Sequence, residues 1–194
     1  LYAVSYKFPN LMDTVYGFFY QSWKESSARV LGGESQDEFY NSVYKYLKNF
    51  LFSIVLGMIA FMPIVFRILI NKNYYSAIYY VPILLLATYF ANISGFYGGI
   101  FTAYKDTKIM GTTTVVAAII NLGVNIAMIR IFGIYAAAIS TLVANFTVYI
   151  YRRIKVGKYI KLKENWKKRT VAVIVCVLIF VVFYVQNTIS IVLG

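Results

Sequence analysis

The sequence predicts an all-α protein: a polytopic transmembrane helical bundle of about six spans that forms a single integral membrane domain over residues 1–194. Of the 194 residues, 60% are hydrophobic and 19% are aromatic, and the mean hydropathy is +0.67. These values are too apolar for a soluble domain of this size. Apolar runs of about 20 residues, the length that crosses a bilayer core as a helix, recur along the chain. Lys and Arg residues gather in alternate connections between these runs.

The first two predicted spans are separated by a polar stretch. Span one covers 1–23, and its aromatic end near Trp23 is expected at the lipid headgroups, where aromatic side chains concentrate. Residues 24–38 are rich in Ser, Gly and Glu and predict a solvated loop. From Asp37 apolar residues recur at helical spacing, which predicts an amphipathic segment along the interface. It leads into span two, at 47–70.

The remaining spans follow after short polar connections. Span three covers 77–103, and its centre around Asn92 is built from small residues, so it is expected to face protein. Spans four and five form a hairpin between 111 and 155, joined at 130–133. Span six begins near Val171 and runs to about Tyr184, with a possible continuation to Gly194.

The basic residues predict the orientation. Fifteen of the Lys and Arg residues lie in the connections after spans one, three and five, against three, Arg67, Lys72 and Arg130, on the opposite side. By the positive-inside rule the first set is cytoplasmic. Its longest member is a basic loop at 151–169, which is expected to attract anionic membrane lipids at about 1 kcal/mol per basic residue. The net charge of +12 is sorted by loop and not gathered on a soluble fold, so no nucleic-acid partner is expected.

Lys7 is the first candidate site residue. It lies about two turns into a predicted span, where a Lys costs roughly 2.5–3.5 kcal/mol at the helix centre. One interpretation is a cation that lines a water-filled cavity and binds an anionic headgroup such as a diphosphate. The alternative is a side chain that extends to the outer interface.

Five further polar residues lie at predicted membrane depth. Asp13 is either a group that exchanges protons during a transport cycle or a hydrogen-bonding residue, and hydrogen bonding is favoured. Asn121 and Asn125 stand four apart and share a helix face, and Asn92 and Asn145 are similarly deep. All four either contact a substrate in a cavity or form hydrogen bonds between helices, with the second favoured. The absence of His removes the commonest metal ligand and general base, and neither a metal nor a cofactor is expected.

The hairpin resembles a known family. Two Asn residues four apart, an aliphatic run, Phe132-Gly133 and an Ala-rich start to the next helix are similar to the Wzx-type polysaccharide flippases, within the multidrug/oligosaccharidyl-lipid/polysaccharide (MOP) exporter superfamily. Segment 1–7 resembles the start of the seventh or eighth helix of the same proteins, and the stretch from 80–85 through 101–108 resembles the helix ending that precedes their hairpin. This chain departs from the family pattern at Arg130, where a Pro is expected, and at Ala136, where a Gly is expected.

The resemblance implies an architecture and an activity. The chain would be the C-terminal lobe of a transporter whose N-terminal lobe is missing, so it is interpreted as a fragment. The activity would be translocation of polyprenyl-diphosphate-linked oligosaccharide across the cytoplasmic membrane, with Lys7 as the candidate headgroup residue. A drug or cation antiporter of the same superfamily, or a membrane enzyme of polysaccharide assembly, are the alternatives. The outer connections are too short to hold an enzyme site, so an enzyme is not expected.

Overall fold

The computed structural model describes residues 1–164 and 166–193, and within them it contains helices and no strand. The helices are α1 (Tyr2–Arg29), α2 (Gln36–Leu69), α3 (Val81–Ala103), α4 (Lys108–Phe132), α5 (Ile134–Val156) and α6 (Trp166–Leu193), with a 3-10 segment at Lys72–Tyr79 between α2 and α3. Four of them, α2 to α5, are long and apolar enough to cross a membrane. The protein is therefore helical and membrane-embedded, as the composition predicts. The count of about six spans stays a prediction, because α1 is not among the helices apolar enough to cross and the apolar part of α6 (Ile174–Val185) is shorter than they are.

Helix α3 lies at the centre of the bundle. It packs on α1 at one side and on α5 at the other, while α1 and α5 contact each other far less than either contacts α3. Its glycines allow this double packing, because a Cβ at Gly95 would lie 2.5 Å from the Tyr16 hydroxyl and a Cβ at Gly99 would lie 2.4 Å from the Trp23 indole nitrogen. The prediction that the small centre of span three faces protein is confirmed, since Asn92 is buried.

Helix α4 lies at the edge of the bundle and packs mainly on α5. Its only buried residue is Thr113. The outward side chains are aliphatic, as a helix that faces hydrocarbon requires. These exposed residues include Val115, Val116, Ile119, Leu122, Ile126 and Ile129.

Three connections meet at one end of the bundle, called the basic end below: residues 30–35, 104–107 and 157–164. Gln36 Nε2 donates to the Tyr104 hydroxyl at 2.7 Å, and Lys48 forms an ion pair with Glu164 at 3.3 Å. The connections themselves carry Lys105, Lys158, Lys161 and Lys163, and most of the other Lys and Arg residues lie in the helix turns that adjoin them. The predicted alternation of charge thus corresponds to the two ends of the folded bundle.

One boundary prediction near the start of the chain is wrong. Residues 24–38 are not a loop throughout, because α1 continues to Arg29 and α2 begins at Gln36. Polar residues such as Lys24 do not end a helix, whereas Gly32, with φ of 78°, adopts a conformation that side chains disfavour. Trp23 faces the protein: it is 2% exposed, stacks on Phe96 at 4.4 Å and donates to the Phe96 carbonyl at 3.0 Å. Its level at the headgroups stays a prediction.

The amphipathic segment and span two are one helix. Helix α2 has 34 residues without interruption, about 51 Å at 1.5 Å per residue, which exceeds a hydrocarbon core of about 30 Å. Its buried positions recur at three- or four-residue spacing along its length, so one continuous stripe packs on the bundle. These are Tyr40, Tyr44, Leu47, Leu51, Val55, Ile59, Met62 and Phe66.

The basic loop is shorter than the predicted range 151–169. Helix α5 ends at Val156 and α6 begins at Trp166, so the non-helical segment that the structure describes is 157–164. Ile160 and Leu162 are buried and fix this segment to the bundle. Asn165 and Gly194 lie outside the described residues, as do the side chains of the three basic residues at the start of α6.

Candidate functional site

A line of polar side chains crosses the bundle where α1 and α5 flank α3. It is called the polar line below, and it begins at Asp13 near mid-height of α3 and ends at Arg152 towards the basic end. Helix α1 contributes one side chain from each of three successive turns, of which Asp13 is exposed, Tyr16 is buried and Tyr20 is half-buried. Helix α3 contributes its small-residue centre, and α5 contributes its last turns. The members are Asp13, Tyr16 and Tyr20 of α1, Asn92 and Ser94 of α3, and Arg152 of α5.

Arg152 is the best-defined part of the polar line. The side chain is only 8% exposed, and it connects three helices. Its Nε and Nη2 atoms donate to the Thr113 hydroxyl at 2.9 and 2.7 Å, Nη1 donates to the Ser94 carbonyl at 3.2 Å, and Nη2 donates to the Met110 carbonyl at 3.4 Å. Within the part of the chain that the structure describes, no carboxylate lies within ion-pair distance of this guanidinium.

The surroundings of the Arg152 guanidinium include residues of α1 and of α3. Gly98 lies beside the guanidinium, and a Cβ there would meet Nη1 at an ordinary contact distance of 3.7 Å but would crowd the Met110 methyl carbon at 3.2 Å. The phenols of Tyr16 and Tyr20 lie close enough to interact electrostatically with the same group. A polar guanidinium can therefore sit inside an otherwise apolar bundle.

Sequence reasoning assigned Arg152 to a loop, and that assignment is wrong. A spacing signal was present, since Arg152 continues a stripe in which every fourth residue of α5 is buried. The stripe is Ala136, Ser140, Ala144, Val148, Arg152 and Val156. Its neighbour Arg153 points elsewhere and donates to the Leu162 carbonyl at 3.1 Å.

Lys7 is exposed on the outward face of α1. The Ser5 hydroxyl donates to the Ala77 carbonyl at 2.9 Å, which places Ser5 at the level of Ala77. Lys7 comes two residues later, roughly 3 Å further along the helix axis. Because Ala77 precedes the start of α3 at Val81, Lys7 is about level with the first turn of α3 and not with its middle. This level favours the interface interpretation, and the headgroup role of Lys7 stays a prediction.

Asp13, and not Lys7, lies level with the middle of α3. Its side chain is exposed, and its carboxylate lies close to the amide of Asn92, the middle residue of α3. No hydrogen bond within 3.5 Å joins the two, and the buried Nδ2 atom of Asn92 has no partner among the described residues. The structure therefore brings together two candidates that are 79 positions apart in the sequence.

The other three Asn residues lie at helix contacts away from Asp13. Asn121 Nδ2 donates to the Thr141 hydroxyl at 3.2 Å, which joins α4 to α5. Asn145 Nδ2 donates to the Ala87 carbonyl at 3.1 Å, which joins α5 to α3. Both geometries favour hydrogen bonding between helices over substrate contact. Asn125 has a buried Oδ1 atom that accepts no hydrogen bond from the described residues.

The basic end is tied together by polar contacts. The Tyr159 hydroxyl donates to the Asp106 carboxylate, and the pKa of Tyr159 is raised because ionisation would remove that donor and place a second negative charge beside Asp106. Asn41 Nδ2 donates to the Lys161 carbonyl at 3.1 Å. Among the described residues, no three His, Cys, Asp or Glu side chains lie together as a metal ion requires.

Comparison with known proteins does not assign the chain to a family. No family model, no curated protein and no solved structure matches the chain. What the structure establishes is a helical, membrane-embedded protein with a polar line that runs from the exposed Asp13 to the buried Arg152.

Proposed function

We propose that this chain is the C-terminal lobe of a flippase that moves polyprenyl-diphosphate-linked oligosaccharide across the cytoplasmic membrane for cell-surface polysaccharide synthesis. The observation that carries the proposal is a contrast between two exposed helix faces. On α4 the exposed face is aliphatic, as at Ile119 and Leu122. On α1 the exposed residues include polar side chains over several turns, beside the exposed apolar Leu11, Val15 and Phe18. The polar ones are Lys7, Asn10, Asp13, Thr14 and Gln21.

A polar helix face is poorly suited to hydrocarbon. Charged and amide groups in lipid lose their hydration, so they face a water-filled cavity or another part of the protein. Sugars carry many hydroxyl groups with the same requirement. In the proposed transporter, the polar face of α1 lines a central cavity shared with an N-terminal lobe, and the aliphatic face of α4 contacts lipid.

The charge distribution fits the same proposal. The basic end lies in the cytoplasm, where Lys and Arg are retained, and it attracts anionic lipids and the anionic lipid-linked oligosaccharide. An antiporter for cationic drugs would require carboxylates at depth. Of the seven acidic residues, only Asp13 lies away from the basic end, and the flippase is therefore favoured. The chain carries no catalytic step in this proposal.

The proposal is tested by substitutions on the two faces. Within the longer protein, Thr14→Trp narrows the proposed cavity, and Leu122→Trp places the same bulk against lipid. In a flippase-deficient host at matched membrane expression, we expect wild type and Leu122→Trp to restore surface polysaccharide and Thr14→Trp to reduce it at least about tenfold. If wild type fails to restore it, or if both Trp variants restore it equally, the cavity assignment of α1 is wrong.

A further inference from the structure

Arg152 carries a buried positive charge that the described residues do not neutralise. Its four hydrogen bonds all end on neutral acceptors, namely the Thr113 hydroxyl and the carbonyls of Ser94 and Met110. Placing a cation inside a membrane protein costs several kcal/mol unless an opposite charge or a full set of hydrogen bonds offsets the lost hydration. Here the hydrogen bonds offset part of that cost, and the counter-charge is missing.

Three polar groups near the guanidinium also lack partners. An Arg side chain has five N–H donors, and four are used by the bonds above, which leaves one N–H on Nη1. The hydroxyl of Tyr16 and the hydroxyl of Ser94 are buried without any hydrogen-bond partner among the described residues. Tyr16 is 8% exposed and Ser94 is 2% exposed, so bulk water does not satisfy them.

These groups converge on one turn of α3. Arg152 Nη1 reaches the Ser94 carbonyl and lies beside Gly98, and the Tyr16 hydroxyl lies against Gly95. Three unpaired donors and one unpaired positive charge within one helical turn match a ligand with several oxygen acceptors and negative charge. We propose that Arg152, Tyr16 and Ser94 form a subsite for a phosphate-type oxyanion, in the third of the polar line nearest the basic end.

A purely structural role does not account for the same features. Connecting three helices requires hydrogen-bond donors but no net charge, and a neutral amide provides donors without the cost of burying an ion. The adjacent Arg153 is only half-buried and donates from Nη2 to the Leu162 carbonyl of the segment at the basic end, although its Nε is buried without a partner among the described residues. Arg152 differs because its charge points into the bundle beside unpaired hydroxyls.

Access to the subsite is from the side of α1. Tyr20 is half-buried and lies near enough to the guanidinium to interact with it electrostatically, so we expect an oxyanion to enter past this side chain. The subsite lies between the basic end and Asp13, so an anion that enters from the cytoplasm meets it before it reaches mid-height of the bundle. This inference rests on the proposed function for the carrier of the anion, a diphosphate attached to a lipid.

The test is a binding measurement with four probes on the purified full chain. The probes are farnesyl diphosphate, inorganic diphosphate, sulfate and uncharged farnesol, with affinity read from titration in detergent. We expect wild type to bind farnesyl diphosphate and not farnesol. We expect Arg152→Gln to weaken that binding at least about tenfold, because a hydrogen bond to a charged group is lost, and Arg152→Lys to retain part of it. The matched control Arg153→Gln keeps the wild-type affinity, with thermal unfolding confirming that each variant is folded.

Tyr16→Phe is the second variant, since it removes only the unpaired hydroxyl and leaves the ring in place. We expect a several-fold loss of diphosphate affinity with an unchanged melting temperature. Equal affinity of folded Arg152→Gln and Arg153→Gln, or no binding of any phosphate probe by wild type, would overturn the subsite. If free diphosphate binds as tightly as farnesyl diphosphate and binding depends on Arg152, the subsite stands while the lipid carrier, and with it the proposed function, loses its support. If sulfate binds equally well at Arg152, the preference for phosphate is wrong.

Discussion

Lys7 and Arg152 show how the environment of single atoms decides the role of a basic side chain. The Lys7 ammonium extends from an exposed position level with the first turn of α3, where a long side chain reaches water with little cost. The Arg152 guanidinium is held by Thr113 and by two backbone carbonyls inside the bundle. Arg suits this place because its planar group keeps its charge and directs five donors in fixed directions.

Substitution of Lys7 separates its two interpretations. In the complementation assay, a headgroup role predicts loss of surface polysaccharide with Lys7→Ala and partial recovery with Lys7→Arg, because the positive charge is restored. An anchoring role predicts that both variants behave as wild type. From the level of Lys7 in the bundle we expect the second result, with less than a twofold change. Arg67→Ala is the matched control, since Arg67 is exposed in the last turn of α2 near the same end.

Tyr159 gives a prediction about pH at the basic end. Its pKa in the folded protein is raised above the ordinary value of 10.0 by the hydrogen bond to Asp106. The stabilisation is therefore fully present below pH 10 and is lost as the pH rises through the raised pKa. We expect Tyr159→Phe to lower the free energy of unfolding by about 1 kcal/mol at pH 8, with a smaller difference from wild type at pH 11. A difference that stays constant between these two pH values would contradict the assignment.

Among the elements, α3 owes its central position to its glycines. Gly95 and Gly99 have no side chain where Tyr16 and Trp23 approach, so α1 packs closely on α3. Close backbone approach is the main source of helix association in lipid, because burial of apolar surface contributes little there. The stacked rings of Trp23 and Phe96 and the indole hydrogen bond to the Phe96 carbonyl add to this contact.

Adding one methyl group tests this packing. In Gly99→Ala the new Cβ would lie 2.4 Å from the Trp23 indole nitrogen, which forces α1 and α3 apart, and we expect a loss of about 1–3 kcal/mol in the free energy of unfolding. Gly123→Ala in α4 is the control, because a Cβ there meets nothing within 4 Å, and we expect no loss. Unfolding in mixed micelles provides the measurement. Equal stability of the two variants would show that the α1–α3 contact is looser than described.

For the whole molecule, the two ends of the bundle differ in charge and in the contacts that close them. The basic end is closed by Tyr159 with Asp106 and by Lys48 with Glu164. The opposite end is closed by Ser5 with Ala77 and by the Tyr184 hydroxyl, which donates to the Tyr79 carbonyl at 2.7 Å. This asymmetry predicts how the protein inserts, with the basic end in the cytoplasm, because the positive-inside rule retains positively charged connections there.

Single cysteines report this orientation. In a Cys176→Ser background, which removes the natural cysteine, we expect Glu34→Cys and Lys158→Cys at the basic end to resist a membrane-impermeant maleimide in intact cells. We expect Asn73→Cys at the opposite end to react. All three positions are exposed, so permeabilised cells provide the control in which every site reacts. Labelling of Lys158→Cys but not Asn73→Cys in intact cells would invert the proposed topology.

The sequence by itself determined the class of the protein and the sorting of its charges. Apolar runs of bilayer length and the alternation of basic connections are properties of composition and spacing, so they do not depend on how the helices pack. It also predicted that Asn145 and Asn121 act between helices, because an amide in lipid requires a partner nearby. The resemblance to polysaccharide flippases and the functions it implies stay predictions.

The tertiary structure alone decided where the polar groups meet. Asp13 and Asn92 lie on different helices, and their proximity depends on the parallel packing of α1 on α3. Arg152 looked like a member of a basic loop because adjacent residues carry the same charge, although its position on the buried face of α5 directs it inward. Composition counts charges along the chain, whereas burial depends on the helix face that each residue occupies.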